Sequence, residues 1–193
     1  AFYTGPGNDL GAPIGLDQTG RHIFGLCILN DWSARDIQGW EYQPLGPFLG
    51  KNFASTCSPW VVTMEALAPY RARAHQRPEL DPAPLPYLSS EANEKWGGLD
   101  IKMSVAIASA GMRAAGAAPH VIGEANFKDM YWTIFQMLAH HTSGGCDTRP
   151  GDLMGSGTAS GTKPGTYGSL QEVSQAGRET FVLPSGETRT FLE

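Results

Sequence analysis

The sequence is short of charge, and shorter still of basic charge. Only 17% of its 193 residues are Asp, Glu, Lys or Arg, and 14 basic against 19 acidic residues leave a formal net charge of -5. With no basic footprint, nucleic acid is not expected as a partner. The three cysteines, Cys27, Cys57 and Cys146, form no Cys-x-x-Cys pair. Neither a disulfide framework nor a zinc knuckle is expected, and a reducing, cytoplasmic setting fits. No apolar run approaches the roughly 20 residues that cross a bilayer, so no membrane partner is expected either. What remains is 41% hydrophobic residues, enough for one packed domain of ordinary size. Both ends, "AFYTGPGN" and "TRTFLE", read as cut segments of a longer protein.

Hydrophobic patterning points to a mostly β chain with few helices, an α+β class. "HIFGLCILND" reads as one buried strand that delivers Asn30 and Asp31 at its end. Ser33 and Asp36 form a capping pattern, so residues 34 to 40 are expected to be a short helix with Arg35 and Gln38 on one face. Residues 44 to 59, rich in Pro and Gly, read as an ordered loop leading to a strand near Trp60 to Met64, and "RARAHQRPELDPAPLPYLSSEANEKWGG" as a surface excursion. Leu99 to Ile107 alternates as a half-exposed strand, and Gly111 begins the turn out of it. The clearest helix is "NFKDMYWTIFQMLAHHTSGG", with Asn126 as its cap and Gly144 as its left-handed stop. "GSLQEVSQ" reads as a strand, and "ETFVLPSGETRTFLE" as an antiparallel pair turning at Pro184 to Gly186.

The polar groups that could carry chemistry crowd into "NDWSARDIQGWEYQPLGPFLGK", residues 30 to 51. Asp31 is either a strand-end cap or an oxygen ligand for a hard cation such as Mg²⁺ or Ca²⁺. Arg35, Gln38, Tyr42 and Lys51 carry the donors an anionic, carbonyl-rich substrate needs. The bland alternative pairs Arg35 with Asp36 or Glu41 on a solvated face. Against it, Trp32, Trp40, Pro44, Pro47 and Phe48 read as walls that hold polar groups still. His140 and His141 are adjacent and point about 100° apart, so a joint site is not expected. The loop "GSGTASG" lacks the lysine of a P-loop, although Thr158 could touch a ligand. By local pattern Glu172 is an ordinary strand carboxylate.

With those residues in view, "NDWSARDIQGWEYQPLGPFLGKNFASTCSPWVV" resembles the signature region of the fumarylacetoacetase (fumarylacetoacetate hydrolase) family. "FYTGPGN", "PAPLPYL", "NFKDMYWTIFQMLAHHTSGGC", "RPGDLMGSGTASG" and "YGSLQEVS" resemble further blocks of that family in the same order, so the likeness spans the chain. The resemblance implies a partial C-terminal catalytic domain over residues 1–193, a mixed β-sheet roll or barrel incomplete at both ends, with the family's N-terminal SH3-like domain absent. It implies metal-dependent hydrolysis of a carbon-carbon bond in 4-fumarylacetoacetate to fumarate and acetoacetate, the last step of tyrosine and phenylalanine breakdown. The partners implied are a small diketo acid and a second copy, as a homodimer.

Residue by residue, the resemblance makes Asp31 a ligand of Mg²⁺ or Ca²⁺, with Lys51 and Ser55 contributing to the cation's surroundings; Ser55 stands where the family usually has Thr. Gln38, Tyr42 and Thr158 would contact substrate. Arg35, Gln38 and Lys51 would polarise its carbonyl. Glu172 would orient the catalytic histidine, against the local reading of it. That histidine, a further Asp and two Glu ligands lie upstream in the family, and His22, His140 and His141 match other positions. The chain alone is therefore expected to be inactive. Left open are an acylpyruvate hydrolase or decarboxylase of the same superfamily, and a non-catalytic truncated product that binds ligand or dimerises.

Overall fold

The computed structural model describes residues 1–192. Its elements in chain order are β1 (Phe2–Thr4), β2 (Ile23–Leu26), β3 (Leu29–Asp31), α1 (Arg35–Glu41), α2 (Leu49–Asn52), β4 (Ser55–Cys57), β5 (Val62–Thr63) and β6 (Arg71–Ala72). There follow α3 (Glu91–Trp96), β7 (Gly98–Leu99), β8 (Lys102–Ile107), α4 (Ala110–Ala114), β9 (His120–Asn126), α5 (Ile134–Ser143), β10 (Leu153–Met154), α6 (Leu170–Val173), β11 (Phe181–Val182) and β12 (Thr188–Arg189). The expected mix of helix and strand is present. Its weighting is not, since helix, at 27%, exceeds strand, at 21%. The strands form one four-stranded antiparallel sheet, ordered β10-β1-β2-β5, and four separate pairs, none closed into a barrel among the described residues.

The apolar run from His22 to Asp31 is two strands, not one. β2 pairs with β1 and β5, whereas β3 pairs with β4. The switch falls at Cys27 and Ile28, whose backbone groups bond Ala1 and Ser58 instead of either ladder. Phe24 and Ile28 are exposed, which an unbroken buried strand would not allow.

The long helix also breaks. Asn126 caps a 3-10 turn at Phe127–Asp129, accepting the Lys128 N–H at 3.1 Å. α5 begins afresh at Thr133, whose hydroxyl accepts the Gln136 N–H at 3.1 Å while Gln136 Oε1 accepts the Thr133 N–H at 3.0 Å. This reciprocal cap outcompetes continuation of one helix. The left-handed residue after α5 is Gly145, φ +88°, not Gly144 at -85°.

"GSLQEVSQ" forms a helical turn because the Ser169 hydroxyl accepts the Glu172 N–H at 3.4 Å. Gly111 lies inside α4, started by the Ser109 hydroxyl. The hairpin at the chain's end is as expected. β9, which pairs with β8, had no expectation attached to it.

α5 is the centre of the core. Ile134, Phe135, Leu138 and Ala139 pack with Phe2, Ile14, Leu16, Ile23, Leu88, Leu99 and Phe127. The buried Thr133 hydroxyl donates to Asn93 Oδ1 at 2.7 Å and Gln136 Nε2 to the Leu88 carbonyl at 2.8 Å, which satisfies the polar groups taken into that core. A smaller cluster joins Ile107, Met112 and Leu183. The proline-rich excursion is ordered by Arg77, whose guanidinium lies 4.8 Å from the Tyr131 ring centre and 4.3 Å from that of Trp132.

Candidate functional site

β3 and β4 lie in register so that Asp31 faces Ser55 and Asn30 faces Thr56. The chain leaves β3 through Trp32 and Ser33, enters α1, and returns through α2 before β4. Asp31, Arg35, Gln38, Tyr42, Lys51 and Ser55 therefore share one β-α-α-β unit. Four of their side chains fall into two bonded groups. Lys51 Nζ donates to Asp31 Oδ2 at 2.8 Å and to the Ser33 hydroxyl at 2.7 Å. Arg35 Nη1 donates to Gln38 Oε1 at 2.6 Å, one turn along α1.

The bland alternative for Arg35 does not hold. Among the described residues it makes no ion pair with Asp36 or Glu41, and the Glu41 carboxylate is occupied by backbone amides. The expected Ser33 cap is not made either. Ala34 is the N-cap, without a side-chain bond, and the Ser33 hydroxyl donates instead to the Asp31 carbonyl at 3.3 Å. Ser33 is thus drawn toward Lys51, a role that its S-x-x-D spacing concealed.

The walls are only partly as expected. Trp32 is half-buried and its Nε1 donates to the Thr56 hydroxyl at 2.8 Å, tying the start of the unit to β4. Trp40 is 90% exposed and Phe48 68%, so neither encloses the polar groups. α1 buries no residue, because it packs against α2 and presents Ile37 and Trp40 outward.

Glu172 sits elsewhere. Its Oε2 accepts from the Ser160 hydroxyl at 2.8 Å and the Ser169 hydroxyl at 2.7 Å, and no hydrogen bond links it to a histidine or to the Asp31 unit among the described residues. Ser160 in turn accepts the Gly168 N–H at 3.0 Å. Ser169 carries the S-x-x-E capping pattern with Glu172 and Ser160 carries no sequence signal of its own; together they hold Oε2, and Oε1 makes no hydrogen bond among the described residues. Thr158 is exposed, two residues before Ser160. The histidines serve other contacts: His22 Nδ1 with the Pro6 carbonyl at 2.7 Å, His140 Nδ1 with the Tyr87 hydroxyl at 2.8 Å, and His141 Nε2 with Cys146 Sγ at 3.5 Å.

The donors can be tested against a divalent cation. Ca²⁺ takes six to eight oxygens and Mg²⁺ six. Asp31 and Ser55 offer a carboxylate and a hydroxyl on facing strands, and Lys51 is a cation that cannot ligate. No group of three or more His, Cys, Asp or Glu side chains among the described residues could hold a metal ion. These residues do not make a cation site by themselves.

Residues 7–188 match the family model described as the C-terminal part of fumarylacetoacetate (FAA) hydrolase. The chain belongs to the fumarylacetoacetate hydrolase family. It is 50% identical over 192 residues to the fumarylacetoacetases of Rattus norvegicus and Homo sapiens, and 50% identical over 193 residues to that of Arabidopsis thaliana. Each alignment covers 100% of this chain and 43% of the relative, so the chain spans less than half the length of these fumarylacetoacetases. Each alignment covers the unit that holds Asp31 and Lys51 as well as the core. No helix among the described residues is long and apolar enough to cross a membrane.

Proposed function

We propose that the complete gene product carrying this chain hydrolyses the carbon-carbon bond of 4-fumarylacetoacetate, and that this chain supplies the half of the site that stabilises negative charge. The reading rests above all on the Lys51 ammonium. It has three N–H donors, of which two go to Asp31 and Ser33, leaving one for a substrate oxygen. Gln38 accepts from Arg35 through its carbonyl oxygen, and its amide NH₂ donates no hydrogen bond among the described residues. Arg35, Gln38 and Lys51 together would hold the oxyanion that forms when water adds to the ketone. Tyr42 and Thr158, whose hydroxyls make no hydrogen bond among the described residues, would meet the substrate's outer oxygens, and Glu172, through Oε1, would orient an upstream histidine that takes the water's proton. Collapse of the oxyanion breaks the bond, releases fumarate, and leaves an enolate that takes up a proton to become acetoacetate.

Asp31 and Ser55 would be two of the oxygen donors to Mg²⁺ or Ca²⁺, with the remaining ligands outside this chain; Lys51 would neighbour that cation without ligating it. A bound cation supplies Lewis-acid polarisation. The roll or barrel, the homodimer and the cytoplasmic setting belong to this same proposal.

The test is an assay of the complete gene product on fumarylacetoacetate and, side by side, on acylpyruvates. Faster turnover of the former, loss in EDTA and recovery with Mg²⁺ or Ca²⁺ are expected. An inert wild-type protein with metal present, or preference for acylpyruvates, overturns the reading.

A further inference from the structure

Glu41 is the last residue of α1, where the helix dipole disfavours a carboxylate, and it makes no ion pair among the described residues. Both of its oxygens nevertheless accept hydrogen bonds. Oε1 accepts the Phe48 N–H at 2.7 Å and the Gly50 N–H at 2.6 Å, and Oε2 accepts the Leu49 N–H at 3.0 Å. These three amides are the orphan donors at the start of α2. α2 is a single turn of four residues, too short to hold itself, and its N-cap Phe48 has no side chain able to cap it. Glu41 does in trans what a capping side chain does in cis.

Two further contacts fix the same joint. The Ala34 N–H donates to the Gly50 carbonyl at 2.9 Å, and a Cβ at Gly50 would lie 2.7 Å from the Gln38 nitrogen and 2.8 Å from its Cα. The backbones of α1 and α2 thus meet at glycine contact distance, between the residue that carries the amide and the residue before Lys51. The carboxyl group is held below its ordinary range first by the Gly50 amide, despite some desolvation, and further by the Phe48 and Leu49 amides, in keeping with an ionised clamp.

We propose that Glu41 is a positioning residue, whose carboxylate locks α2 to α1 and so sets where Lys51 stands relative to Arg35, Gln38 and Tyr42. The inference rests on reading those four as substrate-facing groups. Displacing Lys51 alone, with the α1-borne groups left together, acts on the reacting centre more than on binding. The effect therefore falls on kcat.

The experiment compares wild type, Glu41→Gln and Glu41→Ala in the complete gene product, by steady-state kinetics per folded molecule and by amide hydrogen exchange. In Glu41→Gln an NH₂ meets one of the three amides while a single oxygen remains; Glu41→Ala removes all acceptors. A misplacement near 1 Å costs about 100-fold, so kcat is expected to fall roughly 10-fold in the first and about 100-fold in the second, with KM within about threefold. The Phe48, Leu49 and Gly50 amides should exchange faster in both. Should Glu41→Ala fail to fold, Glu41→Gln carries the test. A kcat within about twofold of wild type overturns the proposal, because a merely stabilising cap would lower folded yield and leave turnover alone. If wild type itself is inert on the substrate, the functional reading fails and exchange decides: unchanged amides at 48 to 50 overturn the clamp, and faster exchange upholds it.

Discussion

Lys51 shows how much depends on single side chains here. Its ammonium bridges Asp31 and Ser33, and in the proposed function its third N–H is the donor offered to an oxyanion. Lys51→Met keeps the stem and removes the charge, leaving Asp31 without its cation. Loss of one such donor costs about 10² to 10³ in kcat, and that range is expected for Lys51→Met in the complete gene product, measured with a circular dichroism spectrum that stays unchanged. A loss of less than about tenfold would move the oxyanion role to Arg35 and Gln38. At this scale the sequence was half legible. Residue types and i, i+3 spacing placed Arg35 beside Gln38, as found at 2.6 Å. The roles of Ser33 and Glu41 were not legible, because their partners lie 18 and seven to nine residues away and no local period encodes a bond across a loop.

Elements were set by caps more often than by hydrophobic period. Thr133 with Gln136, Ser109 and Ser169 each begin a helix, and two of these three starts fall where strand or turn was expected. The signals were present in the sequence, but an alternating apolar run outweighed them until the hydrogen bonds were visible. The terminal hairpin offers a pH test. Glu187 accepts from the Ser109 and Ser185 hydroxyls and pairs with Arg189 at 2.9 Å, joining β11 and β12 to α4. The Ser109 and Ser185 hydrogen bonds, then that of Arg189, lower its carboxyl from 4.5 to about 2. A depressed carboxyl stabilises above the unfolded value and loses that contribution as pH falls through the folded one. Thermal unfolding should therefore show wild type more stable than Glu187→Gln at neutral pH, with the gap closing between about 4.5 and about 2. A gap independent of pH would mean that the carboxylate's charge is not what holds the hairpin.

For the whole molecule, the deciding feature is the large apolar side chains left exposed in and just after the segment that carries the candidate site. Trp40, Leu45 and Trp60 are 90%, 97% and 80% exposed, in a chain that spans 43% of its relatives' length. Exposed apolar side chains that cluster in this way along the chain favour contact with other apolar surface. The chain produced alone is expected to enhance the fluorescence of a dye such as ANS and to self-associate, whereas the complete gene product does neither; a monomeric, dye-silent isolated chain would contradict this. The sequence by itself determined the family, the core-facing stripe of α5 and the crowding of polar donors into residues 30 to 51, because these depend on residue type and short-range spacing. Only the tertiary structure decided that β2 and β3 part company, that Glu172 rests on Ser160 and Ser169, and that Glu41 ties α2 to α1. Each of those depends on which backbone amides and hydroxyls are left unpaired when distant segments meet, a quantity that exists only after the chain has folded.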